Sequence, residues 1–238
     1  VNILESSGLG LVGLALLSVQ AFSQTPEQLS TEDRGEIQAL SASYAEALSA
    51  CRAEDYAALF VPGSGYFASG FRGHISGQAN LIELVRSERH CLAPDGPAAA
   101  RPGGRSGPTV EIEIDGGHIF GVADLGTAEY QDEYTRTTAG WRFASRTVIV
   151  ANEKAAGLDA AGLLAIHRLG GRELGSLYET DENGVKRLLT SGVRVSIEGE
   201  TVAGRAFLND GAYRDEVYEL VAPGEWRIES SAYMPPGR

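Results

Sequence analysis

Residues 128–143 read AEYQDEYTRTTAGWRF. The alternation sets Tyr130, Asp132 and Tyr134 on one face and Gln131, Glu133 and Thr135 on the other, the period of a β-strand. Thr138-Ala139-Gly140 is a break of turn length, and Trp141-Arg142-Phe143 opens the returning strand. The same period extends upstream through TVEIEI from residue 109 and HIFGVADL from residue 118, and downstream through WRFASRTVIV. Asp115-Gly116-Gly117 and Gly126-Thr127 supply the other tight connections. Residues 109–150 therefore read as a four-stranded antiparallel meander.

The residues before it follow a different period. Thr31 can cap a helix whose first turn holds Glu32 and Asp33, and Ile37, Leu40, Tyr44, Leu48 and Cys51 mark one buried face. AEDYAALF reads as a short helix, GYFAS and RGHIS as a strand pair, and SGQANLIELVRSERH as a third helix. Residues 92–108, rich in Pro, Gly and Ala, read as a loop.

Residues 212–228, AYRDEVYELVAPGEWRI, write much the same meander pattern a second time. Val110, Ile112, Gly116, Gly121 and Leu125 align with Val193, Val195, Gly199, Gly204 and Leu208. Tyr130, Asp132, Glu133 and Trp141 then align with Tyr213, Asp215, Glu216 and Trp226. A helix, LDAAGLLAIHRL, and a loop precede the second copy. The first two helices and the strand pair have no counterpart, so the expected duplication is partial and spans residues 157–238.

The 238 residues carry a formal charge of −12, which argues against a nucleic-acid partner because phosphate recognition needs a basic face. An apolar run from Leu9 to Val19 precedes Ala21-Phe22-Ser23, a fit to signal-peptide cleavage after residue 23, although Glu5 stands where a basic residue is usual. The expectation is a periplasmic or secreted protein with no membrane association after cleavage. In that setting Cys51 and Cys91 read either as a disulfide or as two buried thiols. Zinc is disfavoured, since only His90 stands near a cysteine in sequence, and no metal is expected.

The order helix, short helix, hairpin, helix, meander resembles the nuclear transport factor 2-like superfamily, and residues 31–152 resemble its SnoaL-like branch. The stretches that carry this are Tyr44-Ala-Glu-Ala-Leu, Asp55-Tyr-Ala-Ala-Leu-Phe, Phe71-Arg-Gly-His-Ile-Ser-Gly, Tyr130-Gln-Asp-Glu-Tyr and Gly140-Trp-Arg-Phe. The resemblance implies an α+β, cone-shaped fold, with helices on a strongly curved antiparallel sheet around an apolar cavity. It is followed here by the helix-plus-meander copy. Enzymes of the superfamily place acid–base side chains in that cavity and usually need no cofactor.

By the same resemblance Tyr44 falls where ketosteroid isomerases keep an oxyanion-hole tyrosine, and Asp132 where they keep a protonated aspartic acid. Their general base falls on Ala68, which argues against that activity. His90 falls near a histidine used in elimination by scytalone dehydratases. On the residues alone, Asp132 is either a desolvated acid among aromatic rings or the partner of Arg142 or Arg146. Tyr66, Tyr130 and Tyr134 are candidates to hold a substrate.

No phosphate loop, GxSxG or HExxH is present in the sequence, and the dinucleotide-like glycines of Gly8-Leu-Gly-Leu-Val-Gly lie in the signal-like run with no strand before them. The leading expectation is a cofactor-independent lyase, dehydratase or isomerase with His90, Asp132 and Tyr44 as catalytic residues, acting on a small hydrophobic aromatic or alicyclic alcohol. The alternatives are an exported binding protein for an apolar small molecule and a structural module. The second meander is expected either to extend the first sheet or to pair with it back to back as an internal pseudo-dimer, in place of a homodimer.

Overall fold

The computed structural model describes residues 29–88, 90–92, 108–170, 177–180, 186–190, 193–208 and 211–236. The expected signal peptide, 1–23, lies outside the described residues, as does most of the 92–108 loop. Helix α1 runs Thr31–Ser49, α2 Ala53–Ala58 and α3 Gln78–Arg86. The cap of α1 is Ser30, one residue earlier than the sequence suggests: its Oγ accepts the Asp33 amide at 3.0 Å. Asp33 is thereby held at the helix start, where it also accepts from Trp141 Nε1 at 3.0 Å and so ties α1 to the sheet.

Strands β1 (Tyr66–Ser69) and β2 (Gly73–Ser76) form the expected hairpin. The meander follows as β3 (Glu111–Asp115), β4 (His118–Asp124), β5 (Ala128–Thr137) and β6 (Gly140–Val150). β1 pairs in parallel with β6, giving one six-stranded sheet in the order β2-β1-β6-β5-β4-β3. Its inner face and the three helices enclose a core that includes Ile37, Tyr44, Tyr56, Phe60, Leu81 and Phe143. The result is an α+β unit with its helices on a curved sheet, the architecture that the resemblance implies.

A one-turn helix, α4 (Ala151–Ala155), leads to α5 (Ala160–Gly170). The stretch read as a loop contains a two-stranded pair, β7 (Leu177–Thr180) and β8 (Lys186–Thr190). A separate four-stranded sheet then forms from β9 (Val193–Glu198), β10 (Thr201–Phe207), β11 (Tyr213–Ala222) and β12 (Glu225–Met234).

The two meanders share local devices. In the first, Gly121 stands opposite Asp132, and a methyl group there would come within 2.7 Å of Val110 and Tyr134. In the second, Gly204 stands opposite Glu216, and a methyl group would come equally close to Val193 and Tyr218. Tyr134 Oη donates to Asp132 at 2.7 Å, and Tyr218 Oη to Glu216 at 2.5 Å. The register thus sets Glu216 in the place of Asp132, and Asp215 faces the other way. The sequence alignment is off by one because the turn closed by Leu208 and Ala212 is one residue longer than the turn closed by Leu125 and Ala128.

The second sheet neither continues the first nor lies directly on its back. At the junction Val195 N donates to Gly70 O at 2.8 Å, and α5 occupies one side of it. On the first sheet α5 sets His167 near His74, whose ring packs at a tilt of 50° against Tyr66 with centroids 4.6 Å apart. On the second sheet Gly162 meets Trp226 and Gly170 meets Val193 and Tyr218.

His167 is 3% exposed, and neither ring nitrogen has a hydrogen-bond partner among the described residues. Burial, with a smaller contribution from His74, depresses its pKa from 6.5 to about 3. Below pH 6.5 the unfolded chain therefore takes up a proton that the folded chain refuses. Stability is fully present above that pH and falls by about 1.4 kcal/mol per pH unit on the way down to the folded value. Urea unfolding at pH 7 and pH 5 is expected to show a loss of roughly 2 kcal/mol from this residue, and His167→Leu to remove that part of the slope.

Candidate functional site

The interior of the cone is where the resemblance places chemistry, and side chains fill it. Asp132 on β5 and Arg146 on β6 stand opposite each other and turn to the inner face. Arg146 is 0% and Asp132 3% exposed. Arg146 Nε donates to Asp132 Oδ1 at 2.9 Å and Nη2 to Oδ2 at 2.7 Å, with a further bond from Nη2 to Ser41 Oγ at 3.1 Å. The guanidinium carbon lies 4.2 Å from the ring centroid of Tyr44, 4.1 Å from that of Tyr130 and 4.2 Å from that of Phe143.

Aromatic faces carry negative electrostatic potential, so the rings help a buried cation that has lost its water. Burial alone would favour a neutral guanidine. The carboxylate outweighs it and holds the Arg146 pKa above its ordinary value. Of the two readings open for Asp132, the structure has the arginine partner, and the arginine is Arg146. Both carboxylate oxygens are engaged by it, and Tyr134 Oη donates to one of them as well.

Burial raises the pKa of Tyr44, Tyr130 and Tyr134. These hydroxyls stay protonated near neutrality, so they are hydrogen-bond donors with no capacity as bases. Tyr66 does not join them. The strand period turns Phe67 inward beside Arg146 and Tyr66 outward beside Ser145, where it meets His74.

His90 is on the surface, with Nε2 3.0 Å from Leu48 O. Beside it Cys51 and Cys91 form a disulfide with Cα atoms 5.6 Å apart. Cys51, His90 and Cys91 bring their donor atoms within 4.8 Å of one another, but the sulfur–sulfur bond uses both thiols. Closing a 40-residue loop contributes about 4 kcal/mol on the chain-entropy account. The structure thus gathers Tyr44, Asp132, Tyr130 and Tyr134 around Arg146, and leaves His90 and Tyr66 elsewhere.

Open space lies at the mouth of the cone. A cleft of about 990 Å3 separates the end of the first sheet's inner face, with Phe67, Ser69 and Val148, from the face of the second sheet turned away from α5. On that second wall are Ser196, Ala203, Arg205, Phe207 and Val217. Arg205 is bound to Asp215 through two bonds of 2.7 and 3.0 Å. The Arg194 guanidinium lies between Phe71 and Phe207, 5.4 and 5.2 Å from their centroids.

Glu153 of α4 also reaches the cleft. Its carboxylate accepts the Val150 amide at 2.9 Å, an N-terminal cap that sequence reading passed over because Val150 has no hydroxyl to complete the usual motif. None of the residues proposed from sequence lines the cleft.

Residues 29–118 match the model of the SnoaL-like domain family. The match covers less than half of the chain. Among solved structures the chain is similar to an NTF2-like protein with a cystatin-like fold from Novosphingobium aromaticivorans, at 23% identity over 56% of this chain and 89% of that one, TM-score 0.38. It is similar also to ActVI-ORFA from Streptomyces coelicolor, at 16% identity over 51% of this chain and 99% of that one, TM-score 0.38. A third similar structure is the hexachlorocyclohexane dehydrochlorinase LinA type 2, at 14% identity over 51% and 90%, TM-score 0.35. No curated protein matches the chain.

The ion pair generates a direct test. Arg146→Met leaves Asp132 buried without its cation and is expected to cost about 3–5 kcal/mol in urea unfolding. Arg146→Met combined with Asp132→Leu removes both charges and is expected to recover most of that loss.

Proposed function

We propose that the protein binds a small, largely apolar molecule in the cleft between its two sheets, and that the cone is the scaffold for this site. One observation carries the reading: the open volume lies at the mouth of the cone, while the cone's own interior is occupied by Arg146, Tyr44, Tyr56, Phe60 and Phe143, all buried. A cleft of this size suits a drug-sized ligand, and its mix of aromatic, aliphatic and a few polar groups is the usual composition of such sites. The SnoaL-like match is compatible with binding as well as with chemistry, since activity depends on the site and not on the fold.

The elimination reading asks an imidazole, a carboxyl and a tyrosine to converge on one substrate. His90 on the surface and a doubly engaged Asp132 in the core favour binding over that chemistry. Thermal-shift measurements on the full chain with phenolic, terpenoid and polycyclic compounds are expected to find stabilising ligands. Ala203→Trp, which fills the cleft, is expected to abolish their effect, whereas Tyr44→Phe and His90→Ala leave it intact. Turnover of a hit that disappears in His90→Ala while binding survives would instead establish the lyase.

We further propose that the protein acts outside the cytoplasm. The apolar run of residues 9–19 and the Cys51–Cys91 disulfide support this, because such bonds persist in oxidising compartments. Intact-mass analysis of protein recovered from the cell envelope or medium is expected to show a chain beginning at Gln24. A chain retaining residues 1–23 would refute it.

A further inference from the structure

We propose that the cleft selects a hydrophobic cation, an amine whose ammonium group pairs with the Glu153 carboxylate. This rests on the cleft being the binding site and adds the chemistry of its ligand. Glu153 is 5% exposed and lies on the cleft wall among Phe67, Val148 and Val150. One carboxylate oxygen, Oε2, accepts the Val150 amide. The other, Oε1, lies against Gly70, where any side chain would collide with it, so the chain leaves room for this carboxylate.

No cationic side chain among the described residues lies within ion-pair distance of Glu153. Its neighbour Lys154 turns to Glu129 at 2.5 Å. The guanidinium groups of the cleft are engaged elsewhere, Arg205 by Asp215 and Arg194 between two phenyl rings. Of the cleft carboxylates with no ion pair among the described residues, Glu198 is exposed to water and Glu153 is buried in apolar surroundings.

A buried carboxylate without a cation is costly, and the cost is relieved either by a proton or by a cation brought in from outside. Burial in fact raises the Glu153 pKa, against the opposing effect of the Val150 amide. A ligand ammonium would replace the proton and gain the stronger attraction available in a low-dielectric site, while its apolar body covers Phe67, Val148 and Val150. An anionic ligand would meet the like charge of Glu153. A neutral one would leave the carboxyl as it is.

The test uses the full-length protein and phenyl, naphthyl and adamantyl compounds, each as the methylamine, the methanol and the carboxylate. Calorimetric titration is expected to show the amine of at least one body bound about tenfold more tightly than its alcohol. That preference is expected to vanish in Glu153→Gln with the alcohol's affinity unchanged; glutamine can still accept the Val150 amide, and an unchanged melting temperature checks the fold.

A second readout needs no variant. Titrations in two buffers of different ionisation heat are expected to show proton release when the amine binds, growing as the pH is lowered toward the raised pKa of Glu153. Alcohols or carboxylates binding as tightly as the amines, or a preference that survives Glu153→Gln, would overturn the cation proposal and leave the cleft standing. If no compound of any class binds, the cleft reading itself fails.

Discussion

The charge pair of Arg146 and Asp132 determines what the first unit can be. Its two charges face each other across β5 and β6 in a space from which water is excluded, and they are tolerable there only because each completes the other. Three aromatic rings close around the guanidinium, and Ser41 brings α1 to the same point. Helix, sheet and aromatic core are thus coordinated through one cation. The arrangement also occupies the volume that a cavity in this fold would use. Arginine, a long side chain, is buried here on the inner face with Tyr44, Tyr130 and Phe143 around it.

The second sheet shows that this pair is a choice and not a requirement of the meander. Glu216 takes the position of Asp132 and keeps the tyrosine bond, yet Ser231 stands opposite where Arg146 would be. Its cation comes from the same strand instead: Arg214 lies 3.4 Å away and also donates to Gly170 O on α5. The shared part, a carboxylate, a tyrosine two residues on and a glycine across the ladder, is what a strongly curved strand pair needs to seat a ring over its neighbour. The arginine opposite belongs to the first unit alone.

Most of the fold was legible from sequence because the signals are periodic. The alternation in AEYQDEYTRT and the turn residues around it set the meander, and the spacing of Ile37, Leu40 and Tyr44 set α1. The β7–β8 pair was passed over although Asn183-Gly184 lies between its strands, a strong turn signal flanked by runs too short to show a period. The match of Asp215 to Asp132 failed by one residue, since a longer turn reverses the face of every later side chain in a strand. An arginine partner, Arg142 or Arg146, could be named in advance as one of two readings, but counting back from Thr137–Gly140 sets Ser145 opposite Asp132, and it is a bulge at Glu133–Tyr134 that shifts the register to Arg146. Burial decides between those readings, and burial is not written in a strand's own residues.

The cleft was not legible at all, and the reason is geometric. Its walls come from residues 67–71, 148–153 and 194–232, and nothing local to any of these ties it to the others. What brings them together is the Gly70–Val195 hydrogen bond on one side and α5 on the other, which fix the angle between two sheets that otherwise have separate cores. Gly70 serves twice in this, giving its carbonyl to the second sheet and its empty side-chain position to Glu153. A single small residue at the end of β1 therefore sets both the opening of the site and the room for its buried, uncompensated carboxylate. A fold whose interior is closed by a salt bridge has acquired open space at its rim, and the ligand chemistry follows from the groups exposed there.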